Sequence, residues 1–331
     1  MSASQQVCQV EPAVTTAPPL QPQRRQPPGW LVIAAFGAVY IIWGSTYLGI
    51  RLAIDSMPPL LMAGSRAGIA GLILYVFMRA SGASRPQLRH WKESTIVGGL
   101  LLFAGNGGVS YAELTVPSNV TALMVAAVPL WMNLIDWLRP RGTRPHGGVF
   151  AGLALGFVGV ALIVFSKDGH GHQVVPPLGA CVLLVAPFCW ALGSIYSRHA
   201  VQTSSALLNI AMQMIGGGTI MMLAGFALGE ANHFRLAQIT PTSAWAFAYL
   251  TFIGSLVGFT AYVWLLQVST PAKVSTYAYV NPLVAVLLGS LFLNESLPPG
   301  LLMAGALIIG AVVLITTAKA RQQAPAPAVH K

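Results

Sequence analysis

At residues 43–51 the chain reads WGSTYLGIR, within an apolar segment that opens its first half. At residues 190–198 it reads WALGSIYSR, which repeats the order Trp, Gly-Ser, Tyr and Arg within an apolar segment that opens the second half. Two matching stretches half a chain apart predict an internal duplication. Their mixture of aromatic, small and polar residues inside apolar segments places the two halves in a membrane, with a pathway where they meet.

The composition indicates a polytopic membrane protein. Of the 331 residues, 55% are hydrophobic and only 8% are charged, whereas soluble domains carry about 25% charged residues. The formal net charge of +10 could indicate nucleic-acid binding, but the membrane topology derived below explains it better. We therefore expect a lipid bilayer and a small molecule as partners, and no nucleic acid.

Ten segments are long and apolar enough to span a bilayer, which takes about 20 mainly apolar residues. The fold predicted from them is an all-α polytopic membrane protein. The segments cover residues 30–54, 58–79, 96–112, 117–137, 147–166, 178–197, 205–228, 243–266, 274–293 and 300–317.

The Lys and Arg residues orient these segments, because positive charge accumulates in cytoplasmic loops. With the N-terminus inside, the inner segments hold fourteen Lys and Arg and the outer segments three, and Arg66 within a span is the last of the eighteen. This bias predicts that both termini are cytoplasmic, in the plasma membrane of a bacterium (its inner membrane).

The duplication divides the chain into two inverted repeats, because five spans in each half turn the second copy upside down. The predicted repeats cover residues 30–166 and 178–317. Residues 1–29 are rich in Pro and Gln and form a predicted disordered cytoplasmic tail, and residues 318–331 form a second cytoplasmic tail.

Several short motifs give the chain a family resemblance. They are IWGSTY at 42–47, Pro58-Pro59 and Arg66 in the next span, Asn281-Pro282-Leu283 in the ninth, and LFLNESL at 291–297. With ten spans in two inverted repeats, the chain resembles the EamA-type ten-helix carriers of the drug/metabolite transporter superfamily. One departure is Gly142, which stands where the second repeat has Glu295. The resemblance implies alternating access around a central cavity and, most often, export of small metabolites or drug-like amphipathic molecules.

Arg66 is the one charge well inside a predicted span. Arginine at that depth costs at least about 2.5 kcal/mol on insertion scales, so such residues usually face a cavity or a partner. One interpretation is that Arg66 binds an anionic group of the substrate. The alternative is a structural charge that pairs with backbone carbonyls or Glu113, or extends to the membrane surface.

Aromatic and amide side chains inside the spans are further substrate-binding candidates, because a buried Trp N–H or Tyr O–H needs a hydrogen-bond partner. The alternative for the aromatic residues is packing or an interfacial belt. For Asn106 and Asn281 it is a role in satisfying a kinked backbone. The aromatic candidates are Trp43, Tyr47, Tyr111, Trp131, Trp190, Tyr196, Tyr277 and Tyr279.

Pro129 and Pro282 occupy equivalent places in the fourth and ninth spans. Proline removes a backbone donor and frees a carbonyl. We interpret both as hinges beside the substrate, and a static kink satisfied by neighbouring helices is the alternative.

Other functions lack their signatures in this sequence. The chain has no zinc-protease or nucleophile-elbow motif, no ring of like charges as in a channel, and no nucleotide-binding loop. A membrane-embedded enzyme, or a channel or scaffold component, stays the alternative to a transporter. We expect no catalytic residue, no cofactor and no metal site, and a homodimer is compatible with the sequence. The loop at 168–172 is interpreted as solvated rather than metal-binding.

Overall fold

The computed structural model describes residues 27–139, 147–165, 175–269, 271–274 and 276–323, and within these ranges the secondary structure is entirely helical. Most of both predicted tails, the connector around Gly142 and the loop at 168–172 lie outside the described residues. The predicted all-α membrane fold is confirmed.

Ten long helices form the described part of the molecule. Four of them, α2, α6, α8 and α10, begin with a proline, which is tolerated there because the first turn has no backbone partner to lose. The helices are α1 Gly29–Ala53, α2 Pro59–Ala80, α3 Leu88–Ala112, α4 Ser118–Leu138, α5 Gly147–Phe165, α6 Pro177–Ser197, α7 Ala206–Ala227, α8 at 241–268, α9 Tyr277–Leu293 and α10 Pro299–Gln323.

Nine of these helices in the described part of the chain are long and apolar enough to cross a membrane. The tenth, α9, has 17 residues and follows a separate short helix, Pro271–Val274. Large apolar side chains on the outer helix faces, such as Ile69, Leu72 and Val76 of α2, are exposed. In a bilayer these faces contact lipid, so the chain is a multi-pass membrane protein.

Three helices differ from the predicted segments by more than two residues at one end. The third begins at Leu88 rather than 96, because a polar extension continues it beyond the apolar segment and Gln87 caps its start. The ninth begins at Tyr277 rather than 274. The last continues to Gln323, past the predicted end at 317, so the start of the predicted C-terminal tail is helical. Helix formation does not stop where the apolar segment ends, because polar residues also form helices outside the membrane.

The helix packing follows the duplication. The pairs α2–α7 and α5–α10 each join equivalent helices of the two repeats, and the α1–α9 contact has its counterpart in α6–α4. Glycine allows the closest of these approaches: a Cβ on Gly64 would lie 2.9 Å from the Gly218 carbonyl oxygen, and one on Gly159 3.0 Å from the Ala304 carbonyl oxygen. Two five-helix repeats therefore pack around a common centre.

Two equivalent helices contain wide, π-helical turns in their middle. In α3 these turns span Gly99–Gly107, and in α8 they span Leu250–Val257. The helix α4 is also interrupted, because its two parts, Ser118–Val125 and Val128–Leu138, are separated at Ala126 and Ala127. Such irregular segments often mark functional positions, and all three border the same cavity.

Candidate functional site

A cavity of about 250 Å³ lies at the centre of the helices. This volume lies just below the range for small-molecule pockets, ~300–1,000 Å³. Its lining is mainly apolar, with polar groups at a few points. These are Trp43, Thr46, Tyr47, Arg66, Asn106, Trp190, Ser255, Tyr277, Asn281 and Thr316.

Arg66 enters the cavity from α2 and is 6% exposed. Its Nη2 donates a hydrogen bond to Oδ1 of Asn106 on α3. Its Nε is buried and has no hydrogen-bond partner among the described residues. Because nearly all buried polar groups in proteins are paired, this donor marks a place where a bound anion would fit.

Asn281 enters the cavity from the opposite repeat, on α9, and is 8% exposed. Its Oδ1 is buried and accepts no hydrogen bond within the described part of the chain. An unpaired acceptor costs free energy much as an unpaired donor does. The cavity therefore offers a free donor at Arg66 and a free acceptor at Asn281.

An aromatic cluster forms one wall of the cavity. The ring of Trp43 meets those of Phe259 and Tyr277 edge to face, with centroids 5.3 and 5.1 Å apart. Across the cavity, Trp190 lies against α3, where a Cβ on Gly105 would come within 2.8 Å of the indole Cε3. The flat rings of Trp43 and Trp190 provide apolar area with one polar edge each.

The wide turns bring polar groups of α3 and α8 to the cavity. Asn106 lies within those of α3 and Ser255 within those of α8. The Ser255 hydroxyl donates to the Leu250 carbonyl oxygen at 3.0 Å, five residues earlier. Each repeat therefore contributes a polar group to the lining through one of these two equivalent helices.

Seven of the eleven substrate-binding candidates line this cavity: Trp43, Tyr47, Arg66, Asn106, Trp190, Tyr277 and Asn281. Trp131 instead packs edge to face on Phe157 and Phe188, and the Tyr196 hydroxyl donates to Glu93 at 2.7 Å. The lining does not include Trp131, Tyr196, Tyr111 or Tyr279.

Both prolines border the cavity. Pro129 follows the interruption of α4, and its own carbonyl oxygen accepts a hydrogen bond from the Asn133 side chain at 2.7 Å. Pro282 lies inside the continuous helix α9. The two positions are equivalent in sequence but differ in local geometry.

Phe259 and Ser255 are lining residues that the sequence analysis did not single out. The signal that could have found Ser255 is its hydroxyl group inside an apolar span, the same kind of signal that singled out the amide of Asn106. Phe259 carries no such signal, since an apolar residue in an apolar helix does not reveal which face it occupies.

One end of the molecule is closed by contacts between the repeats. We call it the Glu295 end, where α1, α3 and α9 end and α2, α4 and α8 begin. The Glu295 carboxylate caps α4 by accepting hydrogen bonds from the Ser118 N–H at 2.7 Å and the Asn119 N–H at 2.9 Å. Glu230 caps α2 similarly, at 3.2 and 2.9 Å from the Leu60 and Leu61 nitrogens. A carboxylate at a helix N-terminus is favourable because four backbone N–H groups lack partners there.

The predicted alternative that Arg66 pairs with Glu113 does not match the geometry. Glu113 lies one residue past the end of α3 and is fully buried. Neither of its carboxylate oxygens has a hydrogen-bond partner in the described residues. Arg51 donates instead to the main-chain carbonyl of Glu113.

Comparisons with known proteins agree with this architecture. Residues 29–165 and 177–317 each match the family model described as "EamA-like transporter family". The chain is 36% identical over 290 residues to the "Uncharacterized inner membrane transporter YedA" of Escherichia coli strain K12, which covers 87% of this chain and 91% of that protein. It is 26% identical over 294 residues to the "Probable amino-acid metabolite efflux pump" of the same strain, over 84% and 90% of the two chains.

A crystal structure superposes on the chain with a TM-score of 0.60 at 18% identity, covering 88% of this chain and 99% of the other. At that identity the match concerns the fold alone. The two family matches together cover most of the sequence, and they coincide with two five-helix repeats around a central cavity. The chain therefore belongs to the EamA-like transporter family.

Proposed function

We propose that this transporter exports small zwitterionic or anionic organic metabolites, with the cavity between the repeats as their binding site. The observation that carries the proposal is the pair of buried, unpaired groups in one cavity, the Nε–H of Arg66 and Oδ1 of Asn281. A carboxylate would accept from Arg66, and an ammonium group would donate to Asn281. An α-amino acid or a derivative carries both groups close together.

The name of one relative supports the same substrate class. The Escherichia coli protein at 26% identity is described as an amino-acid metabolite efflux pump. The aromatic faces of Trp43 and Trp190 would then hold the apolar part of the metabolite, and Tyr47, Tyr277 and Asn106 complete the site. Pro129 and Pro282 act as hinges that flank it.

The cavity is proposed as a binding site rather than a catalytic one. Among the residues described, its lining contains no Asp, Glu, His or Cys, and the Ser255 hydroxyl donates to a backbone carbonyl instead of a base. A nucleophilic reaction needs an activated nucleophile beside a base. Binding and release require neither.

Alternating access explains the closed Glu295 end. With both termini cytoplasmic, as the Lys and Arg distribution indicates, this end faces away from the cytoplasm. The carboxylate caps then hold the outer side shut, and they must separate for substrate to leave. We propose this orientation in a bacterial inner membrane.

Counterflow in proteoliposomes tests the proposal. Purified protein is reconstituted with unlabelled amino acids or their acylated derivatives inside, and uptake of the labelled compound is followed. We expect uptake for a chemically related subset, and a reduction of at least about tenfold in Arg66→Gln, since a lost hydrogen bond to a charged group costs ~1.5–3 kcal/mol.

The matched control is Arg79→Gln, because Arg79 lies on the same helix but bonds to the Ala83 carbonyl at its end, outside the cavity. This variant should transport like the unaltered protein. Equal losses in both variants, or full activity in Arg66→Gln, would contradict the assigned role of Arg66.

A further inference from the structure

Glu113 carries a fully buried carboxyl group and does not line the cavity. It belongs to the Glu295 end, between the last turn of α3 and the start of α4. Both of its carboxylate oxygens lack a hydrogen-bond donor among the described residues. Nη1 of Arg51 donates to the backbone carbonyl of Glu113 instead.

Glu295 belongs to the same end as Glu113, but its carboxylate has hydrogen-bond donors. Glu295 accepts from two backbone N–H groups and from the Ser118 hydroxyl at 2.9 Å. An ionised carboxylate is stabilised by such donors, whereas one buried without them is strongly destabilised. The buried carboxyl group of Glu113 has no such donors among the described residues, so its surroundings favour the neutral form.

The charged groups around Glu113 do not reverse this conclusion. Burial raises the pKa of the Glu113 carboxyl well above its usual range, and the negative charge of Glu295 raises it further. The cations Arg51 on α1 and Arg66 on α2 oppose the rise without overcoming it. Among the described residues, the Tyr47 hydroxyl on α1 also faces it.

We propose that Glu113 is a proton-binding site of the transport cycle: it holds one proton while the Glu295 end is closed and releases it to water when that end opens. The inference rests on the proposed alternation of the two ends. On opening, the O–H bond of the carboxyl group breaks and its proton passes to water at that end. On closing, the carboxylate takes a proton back from the same side.

The direction of the pH effect follows from linkage. Because the closed form binds the proton more tightly than the open form, closure is fully favoured at low pH and weakens as pH rises through the closed-state pKa. Acid on the side of the Glu295 end therefore keeps that end shut. In the proposed orientation, an acidic exterior would suppress re-entry of exported substrate.

Cysteine labelling tests the proton site without any substrate. In a background with Cys8, Cys181 and Cys189 replaced by Ser, Val116→Cys places a thiol at a position that is 1% exposed in the closed end. Leu114→Cys, at a position 42% exposed, is the reference that corrects for the pH dependence of thiol reactivity. The ratio of their maleimide labelling rates reports opening.

We expect this ratio to rise with pH by up to about tenfold per unit over the range in which Glu113 titrates, as one bound proton dictates. In the Glu113→Gln variant, which mimics the neutral acid, the ratio of labelling rates should stay low at every pH. The control Glu93→Gln should keep the unaltered slope, since Glu93 bonds to Tyr196 on α6 rather than at the Glu295 end.

A second variant makes the test independent of how well Glu113→Gln folds. Arg51→Gln removes a cation that favours the charged form of Glu113, so the midpoint of opening should move to higher pH. The proton site is overturned if the unaltered protein shows a flat ratio, or if Glu113→Gln retains the slope. The counterflow assay is a separate test of transport, so the two failures can be told apart.

Discussion

At the scale of single residues, the central question is why an arginine is kept inside an apolar helix bundle. Arg66 contacts Asn106 through one nitrogen and leaves Nε free, which is a costly arrangement for a residue with a structural role alone. A cavity that must bind and release an anion needs such an incompletely paired cation. If every Arg66 nitrogen were paired within the protein, none of its hydrogen-bond donors would remain for the substrate.

Asn281 should discriminate between ligands that do and do not carry an ammonium group. In Asn281→Leu the unpaired Oδ1 acceptor is removed, so we expect a zwitterionic ligand to bind about tenfold more weakly, the effect of ~1.4 kcal/mol. The matching carboxylic acid without the amine should bind nearly as before. Thermal stabilisation measured against ligand concentration gives both dissociation constants.

The control for this substitution is Asn133→Leu, because Asn133 is an amide of α4 outside the cavity lining whose side chain donates to the Pro129 carbonyl oxygen. This substitution should change the dissociation constants of the zwitterion and the plain acid by the same factor. An equal loss for the zwitterion and the plain acid in Asn281→Leu would remove the ammonium contact from the proposal.

At the scale of helices, the caps at the Glu295 end connect elements that lie far apart in the chain. Glu295 follows α9 and satisfies the N-terminus of α4, and Glu230 follows α7 and satisfies that of α2. Each cap joins one repeat to the other. They stabilise the closed end without using any residue of the cavity.

Loss of the Glu295 cap should be measurable as stability. Glu295→Gln keeps the shape but removes the charge, which weakens the hydrogen bonds from the Ser118 and Asn119 backbone. We expect the free energy of unfolding to fall by about 1–2 kcal/mol. The melting temperature should fall by roughly 2–8 °C, as measured by the fluorescence of purified protein in detergent.

Glu93→Gln serves as the control, since Glu93 accepts from the Tyr196 hydroxyl and caps no helix start. It should lower the melting temperature by less. A Glu295→Gln protein as stable as the unaltered one would mean that the cap adds nothing to the closed end.

The whole molecule also shows what the sequence could and could not predict. Hydrophobic length predicts ten spans, and an arginine or an amide in such a span predicts the polar part of the cavity. The wide turns of α3 and α8 were missed because they change the helix period only locally. The Glu295 cap was missed because its partners are 177 and 176 residues away, and nothing local identifies them.

Alternating access requires the Glu295 end to open, and a disulfide can prevent it. The Ser56 and Thr240 hydroxyl oxygens lie 3.5 Å apart across the two repeats at this end. In a cysteine-free background, the Ser56→Cys and Thr240→Cys pair should therefore form a bond, which needs an S–S distance of about 2.05 Å. We expect oxidation to abolish most counterflow and a thiol reductant to restore it.

Either single-cysteine variant is the control, because oxidation cannot join the repeats when one thiol is missing. Both should keep their flux under oxidant. Full flux in the cross-linked protein would mean that substrate passes without separation of the repeats at this end, which is the behaviour of a channel. Because the bond lies outside the cavity lining, lost flux combined with unchanged ligand-induced thermal stabilisation would locate the block in the opening step rather than in binding.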